Sequence, residues 1–436
     1  MVFLSPRFVL DLLKRLFSRS RVGSIAFLLC APMLMSEGVL AQQVDGADAD
    51  KQTIQMLIRR IDELEARVAQ LEASKAPAPT ASEQVPNPRA PGPPPIDSEA
   101  SAEHSEPERM DMTKTLLNIR GFGDVTLHGD THRRDTTSFT LGQLDLFVTS
   151  DISEKFKFLS EVVFEAGDDN VFGVDLERYL LQFSPNDYFN VSAGRYHSAI
   201  GYYNTAYHHS TWLQTATGRP FLFQFEDDDG ILPIHNVGVS ATGMIPSGRL
   251  GLHYIAEVGN GRASSSPHAE PVQNTVDENN GKSFNLGFYF RPTGVRGLQA
   301  GVSVYHDGLR PIASPAISET IIAAHAVIVR PNFEWLNEAL VIRHAPDGSS
   351  RVFDTPGFYT QVSKRFGSYR PYFRYQYVNA ADAEPVFPQV RRQQGPSVGV
   401  RYDPSDSAAL KLQYDHTTLR GQPATDGLSL QLGFTF

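Results

Sequence analysis

Several groups of side chains in this 436-residue chain have types and spacings from which chemistry could come. Glu226-Asp227-Asp228-Asp229 gathers carboxylates that a hard cation such as Ca²⁺ favours, but the regular ligand spacing of a dedicated calcium loop is absent, and the run reads as an electrostatic element. His208-His209, with His197 and His235, could ligate a transition metal, yet adjacent histidines lack the i, i+4 repeat that puts two rings on one helix face. Asp168 and Asp169 read as solvated surface, with cation bridges to anionic lipid as the other use. No Ser/His/Asp arrangement stands out from the many polar residues, which disfavours a hydrolase. The expectation is therefore no catalytic residue, no cofactor, no metal and no nucleic-acid partner. What remains is charge acting on ions and polar solutes.

The elements that must position those charges are strands. The chain ends Leu428-Ser429-Leu430-Gln431-Leu432-Gly433-Phe434-Thr435-Phe436, an alternation of period two that leaves one face apolar and one polar. Short alternating runs of this kind fill the chain from about residue 113 onward. They predict an all-β fold, a closed antiparallel transmembrane β-barrel of about sixteen strands, with cores from Leu117–His128 to Leu428–Phe436. The connections alternate in length. Asp151–Lys155, Pro185–Tyr188, Pro246–Gly248, Thr293–Arg296, Arg330–Asn332, Gly367–Ser368 and Asp403–Ala408 are short, whereas Gly259–Gly281, Asp307–Ser318, Ala380–Arg392 and Leu419–Gly427 are longer. Short turns at one end, longer loops at the other and an even strand count suit a barrel in an outer membrane. Aromatic rings such as Tyr369, Phe373, Tyr375 and Phe288 suit membrane interfaces or a packed core equally well. Ile321 to Val329 is too continuously apolar for alternation to assign its faces.

On the last strand the alternation puts Leu428, Leu430, Leu432, Phe434 and Phe436 toward lipid and Ser429, Gln431 and Thr435 toward a lumen. The same rule points Arg120, Arg374, Arg401 and Lys411 inward as a basic wall, and Asp124, Asp145, Glu161 and Glu165 inward as an acidic wall. Gln376, Gln413, Asp415, Asn285, Arg291, His253, Glu257 and Arg178 join them. A charge on the lipid face at mid-bilayer costs about 2–4 kcal/mol, so a wet interior is the expected home for so many. The long connection from about Tyr196 to Ile234 holds Trp212, Tyr202, Tyr203, Tyr207, Phe221, Phe223 and Phe225. So aromatic a segment is poorly suited to open solvent. Folded inward it would narrow the lumen, with Arg195, Arg219 and Glu226 to Asp229 setting a transverse field against the basic wall; an outer loop at a subunit contact is the alternative.

Ahead of the barrel, residues 1–41 read as a signal peptide: Arg7, Lys14, Arg15, Arg19 and Arg21 precede an apolar run from Val22 to Met35, and cleavage after Ala41 would remove Cys30. A mature chain without a thiol excludes disulfides, cysteine nucleophiles and thiolate metal sites. Residues 42–75 carry Ile54, Leu57, Ile61, Leu64, Val68 and Leu71 at alternating spacings of three and four, a coiled-coil seam. Arg60 to Glu65 and Arg67 to Glu72 resemble the short trimerisation motif of parallel coiled coils, which points to a trimer and places the coil in the periplasm. Residues 76–112 form a proline-rich linker that favours an extended spacer on the order of 100 Å long, at ~3.1 Å per residue.

Asn118-Ile119-Arg120-Gly121-Phe122-Gly123-Asp124, Gly194-Arg195 and the terminal Phe436 look like a Gram-negative trimeric porin. The layout of coil, spacer and barrel resembles the phosphate-selective O/P group and porins with an N-terminal periplasmic coil. That resemblance implies passive diffusion of small polar or charged solutes, a homotrimer in outer-membrane lipid and lipopolysaccharide, and Phe436 as the signal read by the barrel assembly machinery. It also implies that the inward segment matches the third loop of such channels. The basic ladder of the phosphate-selective members has no residue-by-residue match here, so anion selectivity is an alternative rather than an expectation. The coil is expected to reach the peptidoglycan or a periplasmic protein. Rival readings are a tether with a plugged barrel and a barrel hydrolase.

Overall fold

The computed structural model describes residues 117–132, 137–167, 170–207, 211–226, 230–262, 275–277, 279–311 and 314–436. The expected signal peptide, the coil with its seam of Ile54, Leu57, Ile61, Leu64, Val68 and Leu71, and the proline-rich linker lie outside them. So do Asp168, Asp169, His208, His209, Asp227, Asp228 and Asp229.

Sixteen strands run in chain order: β1 (Leu117–Asp130), β2 (Ser138–Asp151), β3 (Phe156–Ala166), β4 (Phe172–Asn186), β5 (Phe189–His197), β6 (His235–Ile245), β7 (Leu252–Gly259) and β8 (Ser283–Phe290). The second half is β9 (Leu298–Leu309), β10 (Ile317–Arg330), β11 (Phe333–Pro346), β12 (Phe353–Lys364), β13 (Tyr369–Asn379), β14 (Arg392–Ser405), β15 (Ala408–Leu419) and β16 (Thr425–Thr435). Each pairs antiparallel with its chain neighbours, and β1 pairs with β16, so the sheet closes without an edge. Closure matters because an open edge in lipid would leave a row of backbone groups unpaired.

The expected layout of connections holds. One end of the barrel carries turns as short as residues 331–332 and 406–407, and the other carries the long segments 198–234, 260–282 and 380–391. Several strands run longer than their apolar cores suggest. β4 begins at Phe172 and β14 continues to Ser405, because backbone pairing persists past the last residue that patterning can report.

The two faces of the sheet are inverted relative to a water-soluble barrel. Along β16, Leu428, Leu430 and Phe436 are exposed outward at 55, 45 and 70%, while Ser429 and Gln431 are buried inward. Such a surface is stable in lipid, not in water. At the β1–β16 seam, Phe436 and Gly121 exchange backbone hydrogen bonds of 2.9 and 3.0 Å. A Cβ on Gly121 would sit 2.3 Å from the Phe436 ring, so the glycine leaves the space that ring occupies.

β10 and β11 explain why their faces defied assignment. Ile321, Ala323, Val327, Leu336, Leu340 and Ile342 point inward and are buried against Tyr203, Leu222, Phe223, Ile231, Leu232 and Ile234 of segment 198–234. With lipid on one side and a packed segment on the other, Ile321 to Val329 is apolar on both faces apart from His325.

Candidate functional site

The described residues of segment 198–234 are irregular apart from a one-turn helix α1 (Tyr203–Ala206) and 3₁₀ turns at Thr211–Leu213 and Phe221–Phe223. An irregular backbone away from water must find partners for its N–H and C=O groups. Inward side chains of the wall supply them. On one side carboxylates accept: Glu257 takes the Ala199 N–H at 2.9 Å, and Glu338 takes the N–H groups of Tyr202 and Tyr203, with the Tyr359 hydroxyl at 2.7 Å. Glu334 accepts from the Tyr207 and Thr215 hydroxyls and from Gln361.

On the other side cations and amides donate. Arg374 Nη1 reaches the Gly218 carbonyl at 3.0 Å, and Arg401 Nη1 reaches those of Trp212 and Gln214 at 2.7 and 2.9 Å. Lys411 Nζ donates to the carbonyls of Thr211 and Ala216 and to Gln431 Oε1. Three acceptors use all three protons of an ammonium. Gln413 both donates to the Thr217 carbonyl and accepts its N–H, and Gln376 accepts the Phe221 N–H. Arg374, Arg401 and Lys411 thus face loop carbonyls. Arg120, the fourth residue of the expected basic wall, lies 5.2 Å from the rings of Phe122 and Trp212 and donates to Thr435 Oγ1.

Three residues of the acidic wall, Glu161, Asp124 and Glu165, are locally partnered. Glu161 is fully buried and paired with Arg178. Asp124 accepts the Gln143 N–H at 3.2 Å and Gln431 Nε2 at 3.3 Å, and Glu165 accepts from the Gln143 side chain. Asp145 is buried one register step away.

Of the expected constriction residues, Arg195 sits on β5, not on the loop, and donates to the Glu177 carbonyl at 3.0 Å. Arg219 fastens the loop to itself: it donates to the Phe223 carbonyl and lies over the Phe225 ring at 4.1 Å. Glu226 accepts the backbone N–H and the ring of His235, whose other nitrogen meets Glu177 at 2.7 Å. Burial alone would raise the Glu226 carboxyl, but the His235 ring and N–H hold it below the usual glutamate range.

Sequence reasoning missed Glu334, Glu338 and Glu177, and weighed His235 only as a metal ligand. A signal existed for the first two: they stand four apart on β11 with inward Leu336 between them, carboxylates set in an apolar strand. It also treated 380–392 as an ordinary outer loop. Instead Glu384 accepts the N–H groups of Val386 and Phe387 and meets His344, whose second ring nitrogen meets Glu319 at 2.8 Å. This folds residues 380–391 inward, with Phe387 buried.

The described residues of segment 198–234 bond to inward side chains of β7, β11 and β13 to β15 and pack against β10. A cavity of about 410 Å³ lies between Tyr196–Ala206 and β4 to β10.

No family model matches the sequence, and no curated protein matches it. Solved structures do. The anion-selective porin from Comamonas acidovorans is similar with a TM-score of 0.53 at 12% identity, covering 74% of this chain and 100% of that one. The outer membrane channel DcaP of Acinetobacter baumannii has a TM-score of 0.50 at 13% identity, covering 74% and 98%. At such identities the likeness is one of fold: the barrel is of the porin kind.

Proposed function

We propose that the chain is an outer-membrane porin, a water-filled channel that passes small polar or charged solutes by passive diffusion and assembles as a homotrimer. It is a channel and not an enzyme in this reading. The observation that carries it is the asymmetric lumen. Segment 198–234 packs against inward side chains of one part of the wall while a cavity remains between its first turn and β4 to β10, which supports a barrel narrowed rather than filled. Arg374, Arg401 and Lys411 act here as anchors of the narrowing loop. Glu257, Glu334 and Glu338 act with them. Glu226 to Asp229 would contribute charge at the narrowing.

Single-channel recording in planar bilayers tests the reading. Discrete current steps are expected from the mature protein; a folded, membrane-inserted barrel without steps would overturn it and leave the plugged tether. Residues 42–75 are proposed as a trimeric periplasmic coil on the 76–112 spacer, reaching the peptidoglycan or a periplasmic protein. Deleting residues 42–108 should preserve the steps and lower the heat resistance of the trimer on gels.

A further inference from the structure

The inward charges are mixed in sign, so counting them does not decide which ions such a channel prefers. Their partners do. The cavity between the start of the loop and the wall has Arg178, Glu257 and Arg291 among its lining residues, together with His197 and His325. Arg178 is neutralised by Glu161. Glu257 is buried, and its oxygens are taken by Ala199 N–H, Asn285 Nδ2 at 2.8 Å and Ser240 Oγ at 3.3 Å. Arg291 is different. Its side chain is exposed, and no carboxylate contacts it among the described residues.

Arg291 is nevertheless held in place. Its Nε donates to Gln299 Oε1 at 2.8 Å, and its guanidinium lies 5.0 Å from the centre of the Tyr289 ring. Gln299 is buried and fixed in turn by His325 at 3.1 Å, while Tyr289 stacks flat on His253 at 4.8 Å. Residues on β7, β8, β9 and β10 thus orient one guanidinium whose Nη groups are committed to no protein acceptor. A second cavity, of about 470 Å³ at the turn 291–297, shares Tyr202, Arg291 and Gln299 with the first and adds Arg296. No carboxylate lines it. A guanidinium with free N–H groups in a fork geometry and an aromatic face beside it is arranged to receive a carboxylate or phosphate.

We propose that Arg291 is the charge-selecting residue of the channel, holding passing anions on its guanidinium in the cavity that Tyr202 and Gln299 also line, so that the channel prefers anions. This rests on the channel reading above. Solutes bearing a carboxylate or a phosphate group share the required chemistry.

The test is the reversal potential of single channels in a KCl gradient, for the wild type and for Arg291→Gln, Arg291→Lys and Arg343→Gln. Removing one unit charge about 5 Å from a passing ion in water should disfavour chloride and favour potassium by about threefold to fourfold each, so the chloride-to-potassium permeability ratio should fall on the order of tenfold in Arg291→Gln. Arg291→Lys keeps the charge and should keep most of the ratio. Arg343, which pairs with Asp354 on the outward face, is the control for removing a cation elsewhere and should not shift it. Acetate and inorganic phosphate added separately should each reduce chloride current in the wild type if both groups bind; reduction by only one identifies the group. In Arg291→Gln that reduction should vanish. An unchanged reversal potential in Arg291→Gln, or an equal shift in Arg291→Lys, overturns the proposal while current steps persist. Absence of steps in the wild type would overturn the channel reading instead.

Discussion

Glu338→Gln tests whether the loop is held by the wall or merely rests on it. In the native protein one carboxylate accepts the N–H groups of Tyr202 and Tyr203 and the hydroxyl of Tyr359. Glutamine has nearly the same shape but replaces one acceptor oxygen with an NH₂ group, so at least one of these buried donors loses its partner and faces another donor. An unsatisfied buried group costs about 1–3 kcal/mol, and the lost charge-assisted bond about 1.5–3. Part of this overlaps, so about 2–4 kcal/mol is expected against loop docking, a shift of about 30-fold to 1,000-fold in the docking equilibrium. The outer wall and the strand pairing are untouched, so the barrel should still fold and insert. The assay is open-channel current noise together with mean conductance, both of which should rise as the first turn of the loop detaches. Native noise and native conductance in correctly folded Glu338→Gln would refute the idea that wall carboxylates fix the loop.

Lys411→Met removes the donor shared by the carbonyls of Thr211 and Ala216 and should likewise raise current noise, with the change confined to the loop tip. His344→Ala removes one partner from a buried charged cluster, where such losses cost about 3–5 kcal/mol, and should free residues 380–391; faster trypsin cleavage at Arg391 would report it. Leu430→Arg places a charge on the outward face and should lower folding stability in vesicles by about 2–4 kcal/mol, measured by urea titration. Because the folded Glu226 carboxyl is held below its ordinary value, its contribution is fully present above the unfolded value of about 4.3 and is lost as pH falls through the lowered folded value. Current noise should therefore rise only at strongly acid pH, and Glu226→Gln should abolish that acid limb.

Patterning of period two was enough to read the barrel, its strand number and its faces, because lipid on one side and water on the other constrain every second residue separately. The terminal run to Phe436 is the plainest case. Lys411, Arg374, Asp124 and Glu161, which the same rule points inward, are all buried in the folded barrel. The rule gave no access to what those charges touch. Lys411 and Ala216 are 195 positions apart, and Glu338 and Tyr203 are 135 apart. Such pairings arise only once the sheet has closed and the segment has folded back through it.

The chain's alternation alone settles that a closed sheet forms, greasy outside and polar within, since that outcome depends on each strand and its immediate neighbours. Which inward charges are spent on the loop, and which stand free like Arg291, is decided by the folded barrel. A carbonyl in an irregular segment carries no signature in the sequence, yet a buried one needs a donor, and several of these find theirs on the closed wall.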